Sequence, residues 1–120
     1  MEISKELTVE NVIAFIKDLG GGVSFVELKN HFRDTSGNKQ FCIRGNSYSN
    51  IVIWSDMSEK FCDVMENVEA SDEIEMLPTN PIVYASDGMM LKLPIAESMI
   101  HYKSPRWLPV AYDLKPVKSI

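Results

Sequence analysis

The chain has 120 residues, 45% of them apolar, two cysteines and a net charge of −5. That is enough apolar material for one packed domain, which excludes a disordered chain and a disulfide-stapled miniprotein. No apolar run reaches the roughly 18–20 residues that cross a bilayer, so no membrane partner is expected.

The opening Met1-Glu2-Ile3-Ser4-Lys5-Glu6 is acidic and lacks an apolar stretch, so a secretory signal is not expected. A cytoplasmic setting with Cys42 and Cys62 as free thiols follows as the expectation. Thr8 then opens a first helix. Val9, Val12, Ile13, Ile16 and Leu19 form a 3.6-period stripe, and Leu7 with Val12 makes a hydrophobic staple around the cap. Gly20-Gly21-Gly22 ends the helix, because glycine relieves the left-handed position after the last turn. Phe15 lies off the stripe.

Gly22-Val23 is a short extended link. Ser24-Phe25-Val26-Glu27 matches a capping box, with Ser24 as cap and Glu27 reaching back. Phe25, Leu28 and Phe32 give a second helix, about Phe25–Arg33, its buried side. Asp34–Gln40 is polar and contains Gly37-Asn38, so it reads as a loop. Gln40–Ile43 reads as a short strand and Arg44–Asn50 as a turn. Asn50–Trp54 is rich in β-branched and aromatic residues and reads as a strand, or else as a backward extension of the next helix from Ser55.

The stretch Ser58–Leu93 reads as a third helix followed by an antiparallel meander. Phe61, Val64, Met65 and Val68 fall on one helical stripe, with Ser58 as N-cap and Glu59 at the favourable end of the helix dipole. After Ala70 the period becomes two. Ile74-Glu75-Met76 is one strand, Ile82–Ala85 a second and Met90–Leu93 a third, with Asp87-Gly88 as a two-residue hairpin turn. Beyond Pro94, Ser98–Tyr102 reads as a turn or strand. The prolines pin Ser104–Val110 as extended chain, in which Trp107, Leu108 and Val110 close the core as an extra strand. Leu114–Ile120 reads as a frayed tail.

The fold class expected is therefore α+β: a three-helix core with a small antiparallel meander over residues 1–95, and a Pro/aromatic extension over 96–120 packed on the same domain. Helix, short strand, capped helix, third helix and hairpin over Thr8–Leu93 resembles the winged-helix class of helix-turn-helix domains, on element order and on caps such as Ser24-Phe25-Val26-Glu27. The resemblance implies a binding module without catalysis, whose third helix reads the DNA major groove while the wing meets the backbone. Two features depart from it. Asp34–Met57 is far longer than the usual turn, and the third helix is acidic.

Charge decides how that resemblance is used. Between Ser55 and Asp87 nine acids stand against Lys60 alone, a local −8 that leaves +3 for the rest of the chain. The outward positions of the third helix are Glu59, Lys60, Asp63, Glu66 and Asn67. Phosphate contacts come from cations that release counterions, and carboxylates oppose them. The expected partner is therefore a protein, met by Glu59, Asp63 and Glu66 and by Tyr102, Arg106 and Trp107 of the tail, since Trp, Tyr and Arg dominate interface hot spots. The alternative is a DNA-binding regulator using the basic residues Lys29, Arg33, Lys39 and Arg44. An exposed edge strand would also invite pairing with a second copy.

No cofactor or metal is expected. His31 beside Phe32 reads as a surface or packing residue, and Cys62 as a small core hydrophobe. Cys42, Cys62, His31 and His101 lack zinc-ligand spacing, and Glu66–Glu75 lacks the spacing of a calcium loop. Gly20-Gly21-Gly22 follows a helix rather than opening a phosphate loop.

Overall fold

A computed structural model describes residues 5–43 and 50–116. These residues form a mixed α+β structure with four helices and two small sheets. The first two helices form where their caps put them. α1 spans Val9–Leu19; the Thr8 hydroxyl accepts from the Asn11 N–H, and Gly20 closes the helix at φ 75°. Its stripe buries Val12 and Ile16, while Leu19 is exposed. α2 spans Phe25–His31 with both halves of the Ser24/Glu27 capping box formed, two residues shorter than expected at its C-terminal end.

Residues 34–40, expected as loop, are largely strand. β1 runs Ser36–Cys42 and pairs antiparallel with β2, Ile51–Met57, through an irregular register. Polar composition misled here because β1 is almost wholly exposed and needs no apolar face; only Phe41 is buried. Gly37 makes the pairing sterically allowed, since a Cβ there would sit 2.6 Å from the Met57 carbonyl oxygen. The turn expected over Arg44–Asn50 falls outside the described residues except for Asn50. β2 starts at Ile51, so it is a strand and not an extension of the helix that follows.

α3 spans Glu59–Glu69, with the Ser58 hydroxyl accepting from Phe61 and with Phe61, Val64, Met65 and Val68 buried. β3, Ile74–Pro78, follows it. The expected meander does not. Ile82–Asp87 is a helix, α4, not a strand. The Asn80 side-chain oxygen accepts from the Ile82 N–H (3.0 Å), and Pro81 is preset for a first turn. Gly88, at φ 95°, is therefore the C-terminal cap of α4 and not half of a hairpin turn. Met90–Leu93 forms no strand.

The partner of β3 comes instead from the C-terminal extension. β5, Val110–Leu114, pairs antiparallel with β3 from Ile74↔Leu114 to Pro78↔Val110. Val23 joins the other side of β5, exchanging backbone bonds with Tyr112 at 3.0 and 2.8 Å. β4, Arg106–Trp107, lies parallel to β2, which gives the order β1-β2-β4 in the larger sheet. So residues 96–120, read as an extension, supply β4 and β5; Leu114, read as the start of a frayed tail, ends β5.

The core is an aromatic cluster shared by both halves of the chain. Trp54 lies 5.1 Å from Tyr84, and Tyr84 5.1 Å from Trp107, centroid to centroid. Phe25 stacks on Trp54 at 6.1 Å and meets Tyr112 edge-on at 5.4 Å. Such pairs add about 0.5–1.5 kcal/mol each beyond the burial of their area. The buried polar tips are satisfied: the Tyr84 hydroxyl donates to Val110 (2.6 Å) and accepts from the Phe25 N–H (3.2 Å), and the Trp107 indole donates to Ile53 (3.2 Å). Burial pushes the Tyr84 phenol well above its ordinary range, against the lowering effect of the Phe25 and Val110 backbone bonds.

Candidate functional site

The heptad-like stripe of α3 that goes into the core leaves its other side to solvent. Glu59, Lys60, Asp63 and Asn67 are exposed and Glu66 is half-buried. The acids of this ridge surround Cys62: burial raises its thiol first, and the nearby charges of Glu66, Asp63 and Glu59 raise it further. Lys39, reaching over from β1, works the other way. Burial alone raises Cys42. Both cysteines are free thiols, held towards their protonated, unreactive form.

Beside the ridge lies a groove of about 280 Å³. Phe41 and Ile43 from the β1 end of the chain, Ile53 from β2 and Met76 from β3 give it an apolar floor, while Glu66 and Glu69 of α3 stand at its side with Cys42. Glu69 accepts from the buried Tyr112 hydroxyl at 3.1 Å, which ties the ridge to β5 and helps raise the Tyr112 phenol, already pushed up by burial.

The tail residues sit elsewhere. β4 is the edge of its sheet opposite β1, and α3 packs beside β1. Tyr102 and Arg106 thus lie away from Glu59, Asp63 and Glu66, and the two candidate surfaces are not one site. The Arg106 guanidinium covers the Tyr102 ring at 4.8 Å and donates to the Ile95 carbonyl at 3.2 Å. Tyr102 in turn donates to Ser98 (2.8 Å) and takes the Asn50 amide on its carbonyl (2.8 Å). Trp107 is fully buried, so its indole packs the core and only its neighbours reach solvent.

The basic set is dispersed. Lys29 on α2 lies against Met89 at 3.9 Å, and Arg33 follows α2 with its N–H on the Lys5 carbonyl (3.0 Å). Lys39 on β1 is near enough to Cys62 of α3 for its charge to lower that thiol, and Arg44 falls outside the described residues. His31 stacks on Phe15 with centroids 4.0 Å apart and meets Phe32 edge-on, which makes it a packing residue and explains the off-stripe phenylalanine. Among the described residues no three His, Cys, Asp or Glu side chains come together as a metal set. Among the described residues no helix is long and apolar enough to cross a membrane.

What sequence reading missed is the groove. Its floor comes from Phe41, Ile43, Ile53 and Met76, and no local pattern announces that they meet. The ridge itself was legible, because helical spacing alone places Glu59, Asp63 and Glu66 on one side. No family model matches the chain, and no curated protein or solved structure does either.

Proposed function

We propose that the chain is a non-enzymatic, winged-helix-type module whose acidic third helix contacts another protein. The observation that carries this is the exposed ridge of α3, where Glu59 and Asp63 face solvent with Glu66 beside them and Lys60 as the helix's single cation. A DNA duplex carries one negative charge per roughly 1.7 Å of axis, so that ridge would repel the groove a recognition helix enters. A protein surface rich in lysine and arginine would meet it instead, gaining on-rate and selectivity from charge complementarity.

The winged-helix reading draws support from order and pairing. Helix, bridging residue Val23, capped helix and third helix come in sequence, and the two strands that follow, β3 and β5, pair antiparallel beside Val23. In this reading the β1–β2 hairpin is inserted between the second and third helices, and residues 79–109 take the place of the wing's tip.

The test is charge reversal. Glu59→Lys with Asp63→Lys changes two exposed side chains; because Glu59 stands in the first turn, where the helix dipole favours an acid, stability should fall by about 0.5–1.5 kcal/mol with the fold kept. Capture and cross-linking of the cellular partner should be lost. Retained capture would discard the ridge as the contact surface. A titration with random duplex at low salt supplies the other arm: affinity that falls steeply as salt is raised would favour DNA and overturn the proposal.

A further inference from the structure

A second cavity takes no wall from α3. It measures about 210 Å³ and lies between α2, the end of β2 and the chain that follows α4. Lys29 comes from α2, Trp54, Ser55 and Asp56 from β2, and Met89, Met90 and Leu91 from the segment after Gly88. The volume falls below the roughly 300–1,000 Å³ of pockets that take drug-sized molecules, so it suits a smaller guest. In a regular strand, neighbouring residues face opposite sides. Here three successive residues of β2 line one space. Asp56 breaks the alternation. Its φ of 54° is left-handed, a conformation that L side chains rarely adopt and that aspartate and asparagine tolerate best. Backbone held this way inside an ordered strand is characteristic of ligand clamps and active sites.

Two opposite charges line this cavity, and neither is answered. Among the described residues the Lys29 ammonium meets only the Met89 thioether, 3.9 Å away, a weak and uncharged acceptor. The Asp56 carboxylate has no hydrogen-bond or ion-pair partner among the described residues, so the two do not pair with each other. Apart from Ser55, the rest of the lining is apolar: Trp54, Leu91 and two methionines left 40% and 47% exposed. Methionine is flexible and polarizable, which suits a wall that adapts to a guest.

We propose that this cavity binds a free α-amino acid with an aliphatic or thioether side chain, of the size of leucine or methionine. A zwitterion supplies both missing partners. Its ammonium donates to the Asp56 carboxylate, its carboxylate accepts from Lys29, and its side chain lies against Trp54 and the methionines. A simple amine offers the first group without the second, and a fatty acid the second without the first. The cavity shares no residue with the ridge of α3, so this inference stands apart from the proposed protein contact.

The experiment titrates the whole chain with L-leucine and L-methionine, followed by calorimetry and NMR. Two analogues of leucine run beside them: isoamylamine, which lacks the carboxylate, and 4-methylvalerate, which lacks the ammonium. Leucine or methionine should bind and shift the Met89 and Met90 methyl signals and the Asp56 amide. Each analogue should bind about tenfold more weakly or worse. Lys29→Met keeps the stem and removes the charge. It should weaken the amino acid about tenfold and leave isoamylamine where it was. Asp56→Asn keeps a residue suited to the left-handed backbone. It should weaken the amino acid by a similar factor and leave 4-methylvalerate where it was. If that variant does not fold, Lys29→Met and the two analogues carry the test. No binding of either amino acid at millimolar concentration overturns the proposal. So does equal binding of leucine and both analogues, which would mark an unselective apolar crevice. Binding that depends on one charge alone, or on neither, overturns it as well, since a zwitterion must use both.

Discussion

The three helices of residues 9–69 and the segment 79–109 are built by different rules. Each of α1, α2 and α3 begins where a hydroxyl takes an N–H of its first turn: Thr8 from Asn11, Ser24 from Glu27, Ser58 from Phe61. Each then buries a stripe at helical spacing. In segment 79–109 local preference is overruled. Ile82-Val83-Tyr84 has the composition of a strand, yet it coils because Tyr84 must put its hydroxyl between Phe25 and Val110 and its ring against Trp54 and Trp107. Helices held by caps can be read locally; one held by a buried aromatic anchor cannot.

If long-range anchoring governs 79–114, its largest dependence is on Trp107. Trp107→Ala removes a fully buried ring together with its bond to Ile53. It should cost about 3–5 kcal/mol, read as a drop in denaturation midpoint, and loosen α4 first by hydrogen exchange. A loss under about 1 kcal/mol would mean that the second half does not lean on this ring.

That contrast also sets what the sequence could reveal. The caps at Thr8, Ser24 and Ser58 and the buried stripe of α3 were legible, since side-chain oxygen, dipole and period all act within four residues. The Asp87-Gly88 pair carries two meanings: it closes a helix or turns a strand, because both ends use the left-handed conformation that glycine tolerates. What chose between them was Asn80, Pro81 and the socket for Tyr84, and the socket is made by residues 26 and 59 positions away in sequence. The acidic ridge was legible for the same reason as the stripe, being its complement on one helix. The groove and the β3–β5 pairing were hidden, because β3 finds its partner in β5 across the whole of 79–109.

Tyr84→Phe sharpens the comparison at intermediate cost. It keeps the ring and strips the hydroxyl from both backbone partners, leaving the Phe25 N–H and the Val110 carbonyl buried. A loss of about 1–3 kcal/mol is expected. The variant should also respond differently to alkali. Folding raises the Tyr84 phenol above its ordinary 10.0, so the unfolded chain gives up that proton first as pH climbs. The stability it contributes is intact below pH 10.0 and declines above it. Urea midpoints measured on either side should fall less steeply in the phenylalanine variant, although Tyr112, raised in the same direction, keeps some of the slope. Identical slopes would place the alkaline response elsewhere.

The smallest effect lies where the two regimes touch. The Ser24 hydroxyl is a local cap, accepting from Glu27 at 3.2 Å, and also a long-range tie, donating to the Asp87 carboxylate at 2.6 Å. Ser24→Ala should cost about 0.5–2 kcal/mol as any lost cap does, and Asp87→Ala less, because Asp87 is half-buried and caps nothing in α2. If the tie matters beyond the cap, the double variant is less damaged than the two losses combined, by a coupling of about 0.5 kcal/mol or more. Strict additivity would mean that α2 and α4 meet only through Tyr84, and that the serine serves its own helix alone.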